Sequence, residues 1–295
     1  MRKAFTILCA VLVGCAFPAF ALAGALQVAV GVAPVEFLAR KIGGGLVQTT
    51  VLVPAGADAH TYEPKPSQMR AIAGASLYLS TGLEFEEAWE GRLKGANKKM
   101  LFVHTDDGLK KLPMPEGHDD HQSARGKHGQ ADEMDPHIWV SPANMRQMAA
   151  KVAAAFAKAD PANAKAYAAN LAAMHKEIDA LDAELKGLFA GIPAARRSFL
   201  VFHPAWGYFA RDYGLTQMAI EFEGKEPSPR RLAAVVGQAK AKGARAVFVQ
   251  PQMSQRTAGT VAQAVGGRLV VADPLAPDWD ANLRKVAKGF REALQ

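Results

Sequence analysis

The sequence predicts an α/β protein of two lobes, each built on a mostly parallel sheet flanked by helices. One long helix joins the lobes. Three observations carry this. Short β-rich runs alternate with helical ones in both halves of the chain, which argues for parallel sheets with crossover helices. A long run from Ala162 to about Ala190 keeps a helical apolar period and separates the halves. The 295 residues suffice for two α/β domains.

The elements follow in order. Leu26–Val32 reads as a strand and Pro34–Ile42 as a helix, which Gly43-Gly44-Gly45 ends. Val47–Val53 is the next strand and Ser67–Ala73 a short helix. Leu77–Ser80 and Met100–Val103 are strands on either side of a helix at Glu84–Leu93. The stretch from Met114 to Asp135 is polar, lacks an apolar period and carries His118, His121 and His128, so a flexible loop is expected there. Asn144–Lys158 is helical. In the long helix, Leu171, Met174, Ile178, Leu181, Leu185 and Leu188 step by three and four and mark one buried stripe. Gly191 and Pro193 end it. The second half predicts strands at Phe199–Phe202, Met218–Glu221, Ala246–Gln250 and Leu269–Ala272. Its helices fall near Pro204–Tyr213, Pro229–Lys242, Thr257–Val265 and Asn282–Leu294. The expected division is 1–23 as a signal peptide, 24–158 as the N-terminal lobe with a loop at 114–135, 159–192 as the linking helix and 193–295 as the C-terminal lobe.

The N-terminus has the grammar of an export signal. Arg2 and Lys3 are followed by an uncharged apolar stretch from Ala4 to Ala16, and Ala21-Leu22-Ala23 offers a small-x-small cleavage site. A cut after Ala23 and a periplasmic location are expected. A second reading takes Leu12-Val13-Gly14-Cys15 as a lipobox with Cys15 lipidated, but the polar linker such an anchor needs is missing. Cleavage removes both cysteines, Cys9 and Cys15, so any metal site must use His and carboxylates. It also removes two of the 35 basic residues and none of the 28 acidic ones, lowering the net charge from +7 to about +5. The basic residues are scattered rather than gathered with aromatics, so no nucleic-acid partner is expected. No later segment approaches the roughly 20 apolar residues of a membrane helix.

Four residues stand out because most lie at or just beyond a strand end, where α/β sheets present side chains to a ligand crevice. His60 follows the second strand, His137 follows the polar loop, His203 closes Phe199–Phe202 and Asp273 closes Leu269–Ala272. Three imidazoles and a carboxylate suit Zn²⁺ held tetrahedrally, whereas Ca²⁺ and Mg²⁺ prefer oxygen; Cu²⁺ and Ni²⁺ also accept imidazole. Spacing alone is weak, since a lone His after a strand is more often a hydrogen-bonded loop residue. Asp58 or Glu63 beside His60, and Asp135 beside His137, are either imidazole-orienting acceptors or caps and surface charges. His104 lies outside these runs, and His175 falls off the apolar stripe and is expected to be exposed.

Five runs in the chain extend the reading. They are Gly56-Ala57-Asp58-Ala59-His60-Thr61-Tyr62-Glu63-Pro64, Asp135-Pro136-His137-Ile138-Trp139-Val140-Ser141-Pro142, Val201-Phe202-His203-Pro204-Ala205-Trp206-Gly207-Tyr208-Phe209, Gly224-Lys225-Glu226-Pro227-Ser228-Pro229 and Asp273-Pro274-Leu275. In these runs, and in their order, the chain resembles the cluster A-I family of metal-binding solute receptors of ABC importers, of the high-affinity zinc uptake type. The resemblance implies a rigid helix between two lobes, a metal cleft between those lobes, and His60, His137, His203 and Asp273 as metal ligands. It implies Zn²⁺ as transported cargo, a membrane permease with its cytoplasmic ATPase as partner, a monomer and no enzymatic activity. Manganese-type relatives often place a carboxylate where this chain has His203, so nitrogen there favours Zn²⁺. Many zinc-type relatives carry a His-rich loop at this position, and His118, His121 and His128 are an expected low-affinity auxiliary site. Departures are the absence of a disulfide and Ala59 in place of a neighbouring carboxylate. The rival readings are a manganese or iron receptor, a metal-binding adhesin and a zinc hydrolase. The last lacks His-Glu-x-x-His and every other catalytic motif.

Overall fold

The computed structural model describes residues 24–114, 134–221 and 227–295. The first sheet is built from β1 (Leu26–Val30), β2 (Val47–Val51), β3 (Leu77–Ser80) and β4 (Leu101–His104), with α1 (Ala33–Gly43), α2 (Pro66–Gly74) and α3 (Glu84–Ala96) as crossovers. All pairings are parallel and the order is β2-β1-β3-β4. The second sheet repeats this winding as β6-β5-β7-β8, from β5 (Ser198–Val201), β6 (Thr216–Ala219), β7 (Ala246–Val249) and β8 (Arg268–Val271). Its crossovers are α6 (Gly207–Asp212), α7 (Pro229–Ala241) and α8 (Gln255–Val265), and α9 (Trp279–Ala293) closes the chain. β3 and β7 are buried throughout, as strands covered on both faces by helices must be.

Between the sheets lie α4 (Pro142–Ala159) and α5 (Ala164–Phe189). At 26 residues and a rise of about 1.5 Å per residue, α5 runs about 39 Å. Met174, Ile178, Leu181 and Leu185 are buried along it, as the periodicity predicts, while Leu171 and Leu188 are only partly covered. The stripe extends at both ends through Tyr167 and Phe189. It packs on α4 and α1 on one side and α9 on the other, so residues from both sheets share one continuous apolar core. A second cluster, centred on Leu200, Val247, Val249 and Val261, fills the far face of the C-terminal sheet under α7 and α8.

Prediction and structure differ mainly at element ends. The helix expected over Pro204–Tyr213 forms only at Gly207–Asp212, because His203 to Trp206 turn first. The expected loop ends are firmly held: Met114 and Asp135 are buried, and Pro113 and Met134 form an isolated antiparallel bridge. Asp135 N–H also donates to the Leu112 carbonyl at 2.8 Å. His118, His121 and His128, the signal peptide and part of the run at Gly224-Lys225-Glu226 lie outside the described residues. Among those described, no helix is long and apolar enough to cross a membrane.

Candidate metal centre

The site begins with three loops that leave strand ends. In the β2–α2 loop, Asp58 Oδ1 accepts the His60 backbone N–H at 2.9 Å, and Oδ2 accepts the Thr61 hydroxyl. Asp58 is therefore a turn-forming cap, one of the two roles left open by the sequence. Asp135 does the same for the His137 backbone, at 2.9 Å. Here the acid has a second task, since its Oδ1 also sits 2.8 Å from His137 Nδ1. Gly207 leaves room for it: a Cβ there would lie 2.8 Å from Asp135 Oδ2. The Tyr208 hydroxyl donates to the Asp135 carbonyl at 2.7 Å, fastening this N-terminal segment to α6 of the other lobe. His203 follows β5 directly.

The structure brings His60, His137 and His203 together in the cleft. Each is at most 7% exposed, and their ring centroids stand 4.9 to 5.1 Å apart. His60 Nε2 is 3.1 Å from His203 Nε2, which is 3.3 Å from His137 Nε2. Every ring places a carboxylate on its far nitrogen. Glu84 Oε2 is 3.0 Å from His60 Nδ1, Asp135 Oδ1 is 2.8 Å from His137 Nδ1 and Glu221 Oε2 is 2.7 Å from His203 Nδ1.

This pattern sets the protonation. A carboxylate accepts hydrogen bonds, so it holds the proton on Nδ1 and turns the Nε2 lone pair of a neutral ring inward. Three lone pairs converging at such distances repel one another unless a cation stands between them. Tetrahedral Zn²⁺ with ligands at roughly 2.0–2.1 Å requires nitrogens about 3.3 Å apart, which is the spacing found. Burial alone would raise the Glu84 carboxyl. The hydrogen bond from His60, the charge that His60 and His137 carry when protonated, and its own backbone N–H outweigh that, and hold it at about 2.

Glu84 owes its place to α3, whose first residue it is; a helix N-terminus favours an anion there. The turn before it is pinned by the buried Glu86, which accepts from Thr81 N–H, Leu83 N–H and the Tyr78 hydroxyl. Gly31 permits this, because a Cβ there would stand 2.3 Å from Glu86 Oε1.

Asp273 does not join the cluster. Its Oδ1 turns back to accept the Leu275 N–H at 2.9 Å, and only the three His place ligand atoms within 4.8 Å of one another among the described residues. The chain here is held elsewhere: the Pro274 carbonyl accepts from the Trp139 indole at 2.8 Å, and the Trp279 indole donates to the Trp139 carbonyl at 2.7 Å. Asp273 here caps its own turn, while its neighbours Pro274 and Leu275 line the cleft. His104 lies apart, 3.6 Å from Glu90, and His175 is half-buried with Nε2 3.1 Å from the Arg146 carbonyl. Glu84 and Glu221 escaped the sequence reading. Their one signal is an acid a few residues beyond a strand end, β3 for Glu84 and β6 for Glu221.

Comparison with known proteins adds the family. The family model described as zinc-uptake complex component A, periplasmic (ZnuA), matches residues 28–293. A Treponema pallidum protein named for metal binding is 32% identical over 234 residues, covering 78% of this chain and 73% of its own length. The zinc-binding lipoprotein AdcA of Streptococcus pneumoniae is 29% identical over 260 residues, 85% of this chain, and the match spans only 50% of that protein. Among solved structures, a crystal structure of ZnuA superposes with a TM-score of 0.84 at 38% identity, over 92% of this chain and 100% of that one. A zinc-bound deletion mutant of ZnuA gives 0.82 at 39% identity, over 91% and 98%. The chain belongs to the ZnuA family of zinc-uptake receptors, which are binding proteins and not enzymes.

Proposed function

We propose that this ZnuA-family receptor captures Zn²⁺ on His60 and His137 from the N-terminal lobe and His203 from the C-terminal lobe. It then presents the ion to the membrane permease of an ABC importer, whose cytoplasmic ATPase drives uptake. The observation that carries this reading is the convergence of three Nε2 lone pairs, each fixed by a carboxylate behind it. The family relation supports Zn²⁺ as cargo, and so does the donor set, because imidazole nitrogen at His203 suits Zn²⁺ better than Mn²⁺.

Capture links the lobes. Two nitrogens belong to one sheet and the third to the other, so a bound ion restricts their relative motion. The permease can favour the loaded form only by as much as the ion changes that surface. Export through a signal cleaved after Ala23 and action as a monomer in the periplasm complete the reading. His118, His121 and His128 would gather ions at lower affinity than the cleft.

The test is calorimetric titration of the metal-stripped mature chain with Zn²⁺ and with Mn²⁺, beside His203→Ala. Tight Zn²⁺ binding that the variant loses, with weak Mn²⁺ binding, is the expected result. Equal or better Mn²⁺ binding would overturn the cargo, and an indifferent variant would overturn the site.

A further inference from the structure

Three imidazoles leave one corner of a Zn²⁺ tetrahedron open, and Asp273, whose Oδ1 accepts from Leu275 N–H, does not line the cavity they share. The neighbouring strand end offers a candidate. Gln250 immediately follows β7, which pairs with β5, the strand that His203 follows. These two strands flank the point where the C-terminal sheet reverses its winding, the usual position of a ligand crevice in α/β sheets. The Gln250 side chain is 3% exposed and lines the same cavity as the three rings.

Its amide has a defined orientation. Nε2 donates to the His203 carbonyl at 3.4 Å, so Oε1 is the atom turned the other way. That oxygen is buried and has no hydrogen-bond partner among the described residues. A buried acceptor left unpaired bears its full desolvation cost, which calls for a donor or a cation nearby. The inward Nε2 atoms are lone-pair bearers and cannot satisfy it. A water bound to the cation can, since coordination polarises its O–H bonds. The cavity of about 20 Å³ is on the scale of about one water.

We propose that Gln250 sets the fourth coordination position, its Oε1 accepting a hydrogen bond from the water that completes the tetrahedron around Zn²⁺. The inference rests on the reading of the three imidazoles as the Zn²⁺ site. Gln250 is then a positioning residue: it holds the fourth ligand without touching the ion.

The experiment compares Gln250→Met and Gln250→Glu with the unaltered mature chain, by Zn²⁺ calorimetry and by the visible absorption of the Co²⁺-saturated proteins. Outer-shell partners of metal sites are worth about 10- to 100-fold in affinity. Gln250→Met should therefore lose Zn²⁺ affinity by about tenfold or more and shift the Co²⁺ bands, which report ligand number and geometry. Gln250→Glu keeps an acceptor but loses the amide donor and adds a negative charge beside the cation, so it should bind Zn²⁺ at least as tightly as the unaltered chain. Unchanged Zn²⁺ affinity and superimposable Co²⁺ bands in the Met variant would overturn the proposal. So would a Glu variant as weak as the Met variant, because the contact with the His203 carbonyl would then be what matters. Failure of the unaltered chain to bind Zn²⁺, or indifference to His203→Ala, would instead remove the site reading beneath it.

Discussion

The two sheets are wound alike, yet their carboxyl ends are furnished differently. The N-terminal lobe brings two imidazoles, each on a turn braced by an aspartate that accepts the histidine's own backbone N–H. The C-terminal lobe brings one imidazole, His203, with Glu221 behind it and the Gln250 amide on its carbonyl. Equivalent topology therefore does not impose equivalent ligation. Among the described residues the clustered imidazoles divide two against one.

The sharpest way to break this comparison is to remove one imidazole from each side. His137→Ala and His203→Ala should each weaken Zn²⁺ binding by more than about 100-fold, beyond the range of outer-shell changes. If the ion bridges the lobes, small-angle scattering should show compaction on adding Zn²⁺, and only His203→Ala should abolish it. Compaction that persists in His203→Ala would mean the ion does not bridge the lobes through that ring.

The carboxylates come next. Glu84→Gln, Asp135→Asn and Glu221→Gln should each cost about 10- to 100-fold in Zn²⁺ affinity, because an amide can no longer fix the Nδ1–H tautomer as firmly. Calorimetry on the three variants would show whether the lobes depend equally on these partners. No loss in any of them would remove the tautomer argument.

Acid acts on all three rings together. Binding requires neutral imidazole with an ordinary pKa of about 6.5, so protons compete with the ion as pH falls. Zn²⁺ affinity should drop by at least about tenfold between about pH 7.5 and about pH 5.5. A flat profile would count against three His ligands.

The smallest expected effect falls on Asp273. Since its carboxylate caps the Leu275 N–H, Asp273→Asn preserves that cap and should change Zn²⁺ affinity by less than about twofold. A loss as large as that of His203→Ala would make the division two and two.

How far the sequence led can be judged from particular residues. The α5 stripe was legible because Met174, Ile178, Leu181 and Leu185 recur with the helical period, and an amphipathic helix has one way to bury them. β3 matched its predicted span, Leu77 to Ser80, because a short apolar run bounded by turn residues leaves little freedom. The three histidines were visible at strand and loop ends, and five ordered motifs gave them meaning. Glu84, Glu221 and Gln250 were not visible, since each acts on a histidine tens of residues away. Nothing local marks an acid beyond a strand as the partner of a particular ring. Asp273 stands beyond β8, where the sequence reading put it, and its Oδ1 accepts from its own turn.

The sequence by itself determined the alternation of elements, the long connecting helix and the three imidazoles, because periodicity and motif order are local properties of the chain. Only the tertiary structure decided which atoms meet. Sheet order put β5 beside β7, and so His203 beside Gln250. Lobe packing through Trp139, Tyr208 and Trp279 carried the N-terminal and C-terminal ring nitrogens to within about one Zn²⁺ coordination edge of each other. Those distances depend on contacts between residues far apart in the chain, which no local pattern encodes.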